Sequence, residues 1–196
     1  MDAPTTISAQ KKLLRRDLLR LLWAIPEREK QASDEAIRLR LASLPQYQQA
    51  TSLFIFVGDG WEVDTWPLIE AALAEGKQIA VPRCLPGGLM EACLIRSRGE
   101  LRQTPPLGLW EPGAGAAVLP TSQIDFALIP CIACDANGLR LGRGGGYYDR
   151  FLTGAGFTKA AVCRQAVLQD TLPTEPHDEA VDVVVTESAL YGLRSM

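Results

Sequence analysis

Histidine is scarce in this sequence, cysteines come in an odd number, and long apolar runs are missing. Each shortage removes a class of function. A single histidine, His177, stands in 196 residues. The five cysteines are Cys84, Cys93, Cys131, Cys134 and Cys163, and an odd count in a chain of this size argues against a disulfide framework. Cys131 and Cys134 form a C-x-x-C, but no second such pair exists, which with one histidine argues against a four-ligand zinc site. A redox pair or half a zinc site is the sharper reading of that pair. Small buried thiols beside a strand end are the preferred one, since free cysteine is among the most buried residue types. Pro130 precedes the pair and no thioredoxin-like helix follows it. No apolar run approaches the roughly 18 residues of a membrane helix, so no membrane partner is expected. A net charge of −3 gives no basic footprint for nucleic acid. The N-terminal segment lacks the apolar core of a signal peptide, and the cytoplasm is the expected compartment. What remains is ordinary: 47% hydrophobic and 22% charged residues. That is enough for one well-buried domain over residues 1–196, expected as a monomer.

Against this plain background one stretch stands out. Gly138 to Arg150 reads Gly-Leu-Arg-Leu-Gly-Arg-Gly-Gly-Gly-Tyr-Tyr-Asp-Arg. Its glycines allow positive φ and let a ligand approach bare N–H groups. Successive N–H groups at a loop-to-helix junction bind anions. Arg140, Arg143 and Arg150 add planar forks for phosphate oxygens, and Asp149 adds a carboxylate of the kind that shares Mg²⁺ with phosphates. The composition points to a nucleotide phosphate site, with a glycine-rich surface turn before a helix as the plain alternative. No Gly-Lys-Ser/Thr follows at the Walker A spacing. The dinucleotide fingerprint would need glycine where Tyr147 stands.

Residues 8 to about 25 have helical periodicity, with Leu14, Leu18, Leu21, Leu22 and Ile25 on one face. Lys11 and Arg15 lie one turn apart, Lys11 within roughly 40° of the leucine stripe. They sit where they can reach a bound anion, although a solvated basic face has the same spacing. A second helix is expected after an N-cap at Ser33, running to about Leu44. Ser52 to Val57 reads as a buried strand, Gly58 to Gly60 as a turn, and Val63 to Glu75 as a helix. Gln78 to Val81, ended by Pro82, and Leu89 to Ile95 read as strands. Gly99 to Thr121 reads as mostly irregular. Asp125 to Pro130, Lys159 to Cys163 and Val181 to Val185 complete the strands, and a helix opens near Tyr147. The fold class is therefore α/β, a mostly parallel sheet flanked by helices in an open, Rossmann-like layering. Ligands in such sheets bind beyond the carboxyl ends of the strands. The glycine loop, the Gly58–Glu62 turn and the segment after Cys163 are all strand exits, so one shared site is expected.

These pieces together resemble the 5-formyltetrahydrofolate cyclo-ligase family, also called methenyltetrahydrofolate synthetases, over nearly the whole chain. The residues that carry the resemblance are Lys11, Leu14 and Arg15; Glu-Val-Asp-Thr at Glu62 to Thr65; Gly-Tyr-Tyr-Asp-Arg at Gly146 to Arg150; and His-Asp-x-x-Val-Asp, a hydrophobic strand and Thr-Glu from His177 to Glu187. The resemblance implies an ATP- and Mg²⁺-dependent ligase. The formyl oxygen of 5-formyltetrahydrofolate attacks the γ-phosphate, N10 closes the ring on the resulting imidate phosphate, and 5,10-methenyltetrahydrofolate, ADP and phosphate leave. It implies that Lys11 and Arg15 hold ATP phosphates, with Arg140, Leu141, Gly142, Arg143, Gly144, Gly145, Gly146, Tyr147 and Tyr148 wrapped around the triphosphate. Arg143 to Tyr147 would also face the folate, Arg143 and Tyr147 as the catalytic pair. Asp149 and Asp178 would hold Mg²⁺, with Asp182 a weaker candidate. Val57 and Glu62 would contact the folate, and Trp110 and Met90 would wall its rings.

Two positions depart from the family pattern. Many relatives carry lysine where this chain has Gly145, and relatives often show Gly and Phe at Cys131 and Cys134. Loss of the loop lysine keeps open a second reading, a non-catalytic paralogue that binds folate or nucleotide in the same pocket.

Overall fold

The computed structural model describes residues 6–105 and 108–192. Five α-helices are present among them: α1 (Ile7–Ala24), α2 (Glu27–Ala42), α3 (Pro45–Gln49), α4 (Trp66–Ala74) and α5 (Tyr147–Leu152). The strands are β1 (Ser52–Ile55), β2 (Gln78–Leu85), β3 (Leu89–Ile95), β4 (Leu101–Thr104), β5 (Leu109–Pro112), β6 (Phe126–Ile129), β7 (Ala133–Cys134), β8 (Arg140–Leu141), β9 (Thr158–Val162), β10 (Val183–Val185) and β11 (Leu190–Tyr191). Seven of them form one sheet in the order β11-β10-β9-β6-β1-β2-β3. The five inner strands run parallel, and the edge strands β3 and β11 run antiparallel to their neighbours.

The inner strands are apolar throughout because both faces are covered. In β1, Leu53 and Ile55 face α2, α3 and α4, packing with Ile37, Leu41, Tyr47 and Ile69. Phe54 faces the other way, with Leu18 and Leu22 of α1 and Leu152 of α5. Fully burying each such side chain contributes about 1.5–3 kcal/mol. Helix α1 starts at Thr6, whose hydroxyl oxygen accepts from the Ala9 N–H at 3.2 Å. Of its leucine stripe, Leu18 and Leu22 are buried and Leu14 half-buried, but Leu21 is exposed.

Several elements differ from expectation. Helix α2 begins at Glu27, not after Ser33. Pro26 supplies a fixed φ before the first turn, and Glu27 and Glu29 place negative charge there. Strand β2 continues through Pro82 to Leu85, paired with β3. Its pairing with β1 stops at Ala80. The Cys84 N–H donates to Glu111 rather than to β3. By strand alternation the Pro82 nitrogen points the same way, where no ladder bond is required of it. The segment 99–121 contains the β4–β5 ribbon, with Leu101 buried against the core; Pro106 of that segment lies outside the described residues. No helix among the described residues is long and apolar enough to cross a membrane.

Strand order reverses between β1 and β6. From β1 the chain builds outward to β2, and from β6 it builds the opposite way to β9 and β10. A crevice opens beyond the carboxyl ends at such a switch point.

Candidate active site

A cavity of about 420 Å³ occupies that crevice. Its floor is the exits of three strands: Phe56 and Val57 after β1, Pro82 and Cys84 in β2, and Pro130, Cys131 and Ile132 after β6. One wall is the glycine loop. The short β7–β8 ribbon delivers it. Buried Asp135 accepts from the N–H groups of Asn137 and Leu139, and Gly138 completes the turn at φ +87°. Arg140 then pairs with Cys134 and Leu141 with Ala133, which fixes where the loop begins.

Two arginines clamp the loop from outside. Arg15 of α1 donates from Nε to the Gly142 carbonyl at 2.7 Å. Arg150 donates to the Gly145 carbonyl at 2.6 Å and to the Gly88 carbonyl at 2.9 Å. Gly144 (φ +94°) and Gly146 (φ +67°) take left-handed conformations, and a Cβ at Gly144 would meet the Arg15 guanidinium at 3.2 Å. A side chain at Gly145 would press on the Tyr147 ring, 2.9 Å from its Cβ position. Gly146 caps α5, whose first turn carries Asp149.

Each cation facing the cavity has a partner. Lys11 is buried, with Nζ 2.6 Å and 2.8 Å from the two Asp178 oxygens and 2.9 Å from Glu175. Burial works against its charge, but the bonds and attraction of Asp178 and Glu175 outweigh it and hold the ammonium above its usual range. Burial likewise opposes the Asp178 charge, yet Lys11 and the Glu175 N–H keep its carboxyl below the usual range. Arg140 donates to Asp149 at 2.7 Å. Arg143 stands 3.0 Å from Glu62, half-exposed, and its guanidinium lies 5.2 Å from the centre of the Trp61 ring. Burial raises Glu62 above the ordinary carboxylate range, with Arg143 countering it. Tyr148 packs inward near Phe54 and Arg140, and burial pushes its phenol up.

The site residues expected from sequence meet here. Lys11, Arg15, Val57, Glu62, Met90, Trp110, the loop from Arg140 to Tyr148, Asp149 and Asp178 all line the one cavity. Asp182 does not. Its carboxylate accepts from the Lys159 N–H at 2.7 Å, a strand-joining role. The segment after Cys163 also stands outside this cavity. There buried Arg164 pairs with Asp34 at 2.7 Å and donates to the carbonyls of Lys30 and Glu62, so it holds the Glu62 turn from behind. Trp61, Cys84 and Glu111 line the site without having been singled out. Trp61 had a signal, as neighbour of Glu62. Cys84 and Glu111 had none, because it is the β4–β5 ribbon that brings Glu111 to β2. Burial and Glu111 push the Cys84 thiol up to about 12.

Comparison with known proteins agrees with this geometry. The sequence pattern of the 5-formyltetrahydrofolate cyclo-ligase family matches residues 7–187. A 5-formyltetrahydrofolate cyclo-ligase of Mycolicibacterium smegmatis is 32% identical over 90% of this chain and 93% of its own length. One from Escherichia coli is 30% identical over 85% and 93%. The solution structure of 5,10-methenyltetrahydrofolate synthetase from Aquifex aeolicus superposes with a TM-score of 0.84 at 30% identity, covering 95% of this chain and 94% of that one. The sheet order, the crevice at its switch point, the glycine loop that walls it and these likenesses converge: the chain belongs to the 5-formyltetrahydrofolate cyclo-ligase family.

Proposed function

We propose that this protein closes 5-formyltetrahydrofolate to 5,10-methenyltetrahydrofolate at the expense of Mg²⁺-ATP. The observation that carries the reading is the joining of two chemistries in one cavity: a glycine loop ringed by Lys11, Arg15, Arg140 and Arg143, and an apolar floor with the buried acid Glu62. The first suits a triphosphate. The second suits a flat heterocycle with amide-like donors.

A formyl oxygen on an amide-type nitrogen is a weak nucleophile, so transfer of a phosphoryl group to it depends on position and on charge stabilisation. Open N–H groups from Gly144 to Gly146 and the Arg15 guanidinium would cradle the phosphates. Arg143, half-exposed and resting on Trp61, is free to swing from Glu62 onto the transferring group. Glu62 would accept from the pterin N–H and amino groups as Arg143 leaves it, its carboxylate held in place by the Asp59 N–H. Tyr147, beside Gly145, would stack at the reacting centre. Val57, Met90 and Trp110 would enclose the rings and exclude water.

The donor set suits Mg²⁺. Asp149 and Asp178 both line the cavity with carboxylate oxygens, and a magnesium ion held by two carboxylates keeps positions for phosphate and water. Bound there, the ion would neutralise phosphate charge. Arg140 on Asp149 and Lys11 on Asp178 fix those carboxylates meanwhile.

The deciding assay is the near-ultraviolet absorbance of the methenyl product after mixing the protein with 5-formyltetrahydrofolate and Mg²⁺-ATP. Growth that requires both ATP and Mg²⁺ supports the reading. Folded protein that binds folate with no growth of the band refutes it and leaves a binding-only paralogue.

A further inference from the structure

Cys131, Cys134 and Cys163 converge at a point that the proposed reaction does not use. Strands β6 and β9 are parallel neighbours, so Cys131 after one and Cys163 after the other emerge side by side. The β7–β8 ribbon then folds back and returns Cys134 to the same place. All three are free thiols. Their sulfurs lie within 4.8 Å of one another, and those of Cys131 and Cys134 are 3.2 Å apart. Cys131 Sγ also donates to the Val162 carbonyl at 3.1 Å, which ties it to the end of β9. Cys134 and Cys163 are fully enclosed, whereas Cys131 is half-buried and lines the cavity, giving the cluster a route to solvent.

We propose that Cys131, Cys134 and Cys163 form a trigonal thiolate site for a soft, monovalent d¹⁰ cation of the Cu(I) class. The donor set decides the class. It is sulfur only; His177 sits instead with Glu175 and Asp178. Thiolates select soft cations. Structural zinc takes four protein ligands, and the described residues bring three together here. The size fits as well. With metal–sulfur bonds of about 2.3 Å, a trigonal centre needs sulfurs roughly 4 Å apart. The triangle already lies within 4.8 Å, and its short edge of 3.2 Å has to open by under an ångström. Each thiol releases its proton to solvent as its bond to the cation forms. Three thiolates on a monovalent cation leave a net double negative charge, which Arg140, whose charge acts on Cys134, offsets only in part.

The test uses the full reduced chain under anaerobic conditions, titrated with Cu(I) against a chromophoric Cu(I) chelator. One equivalent withheld from the chelator is expected, together with a thiolate-to-copper charge-transfer band. Alkylation followed by peptide mass spectrometry is expected to find the half-buried Cys131 labelled without Cu(I) and protected with it, with Cys84 labelled alike in both. Cys163→Ala, which removes the sulfur without burying a hydroxyl, is expected to weaken binding by more than the roughly 10–100-fold that loss of an outer partner of a ligand costs. Cys131→Ser at the half-buried corner gives the same reading should the first variant fold poorly. Complete loss of copper to the chelator, or wild-type affinity in a folded variant lacking one of the three sulfurs, overturns the proposal.

Discussion

Replacing Lys11 with methionine tests the reading of the site's charge balance. The methionine keeps the length and apolar stem of the side chain and removes the ammonium. In the wild type that ammonium lies within 2.9 Å of Glu175 and both oxygens of Asp178, with 8% of the lysine side chain and 14% of the aspartate exposed. Removing one partner of a buried pair costs about 3–5 kcal/mol. Glu175 is 31% exposed, so water screens part of that interaction. The expected loss at neutral pH is therefore about 2–3 kcal/mol, or roughly 5–10 °C in Tm for a chain of this size.

The pH dependence of that loss has a definite sign. In the wild type the depressed Asp178 contributes stability that is present above its unfolded value of 3.8 and is lost as pH falls through its lower folded value. The raised Lys11 contributes stability present below 10.5 and lost only as pH rises through its folded value. In Lys11→Met, burial of Asp178 remains and the lysine's lowering effect is gone, so its carboxyl takes a proton at a higher pH than in the wild type. Between the two values the variant binds a proton that the wild type does not. Its deficit then shrinks as pH falls, by at most about 1.4 kcal/mol per pH unit. Urea denaturation of both proteins at pH 7 and at pH 4 measures this, with Lys12→Met, on the exposed face, as a control expected to stay within about 0.5 kcal/mol. A deficit under about 0.5 kcal/mol at pH 7, or one that grows on acidification, refutes the argument.

Three other outcomes are expected. Arg143→Ala lowers kcat/KM by about 10²–10³-fold; it also moves the acidic limb of the pH–rate profile upward, since Glu62 keeps its burial and loses the cation that counters it, and an unmoved limb separates the two residues. Gly144→Ala forces a side chain into φ +94° against Arg15 and costs about 1–3 kcal/mol; KM for ATP rises more than kcat falls, and unchanged steady-state kinetics would remove the loop from phosphate binding. Ile37→Ala, at a fully enclosed position between α2 and the sheet, costs about 2–5 kcal/mol by thermal or urea unfolding, whereas Leu39→Ala on the open face stays within about 0.5 kcal/mol.

The strands that make the site were legible where one simple cause shapes them. The expected strands Ser52 to Val57 and Asp125 to Pro130 contain the observed Ser52–Ile55 and Phe126–Ile129, because burial on both faces demands an unbroken apolar run, and Leu89–Ile95 matches its expected bounds. Elements with mixed causes were not. The Ser33-Asp34-Glu35 sequence imitates a helix start, while the true first turn, Glu27 to Lys30, is largely exposed and charged and shows no apolar period. Strands β7, β8 and β11 are two residues each, too short for any period, and exist because neighbouring backbone pairs with them. The β4–β5 ribbon has a mostly exposed first strand and proline at its far end, so composition reads it as loop.

For the site, residue type announced membership but not partnership. Lys11, Arg15, Arg140 and Arg143 all looked like open cations awaiting phosphate, and in the fold each already has a partner: Glu175 and Asp178, the Gly142 carbonyl, Asp149, and Glu62. Partners distant in sequence, such as Lys11 and Asp178, leave no mark on either segment. The physical consequence is a site whose positive groups are fixed before any ligand arrives, so a phosphate must exchange partners with them. That exchange is least favourable for Lys11 and Arg140, 8% and 4% exposed, whose release would leave the half-buried carboxylates of Asp178 and Asp149 without their cations. It is least costly for Arg143, 49% exposed and resting on an aromatic face, which would leave Glu62 as the pterin of the proposed substrate supplied that acid with new donors. Were folate to bind at Glu62 and phosphate at Arg143, as proposed, the two would be linked through this ion pair, and each ligand is expected to tighten the other.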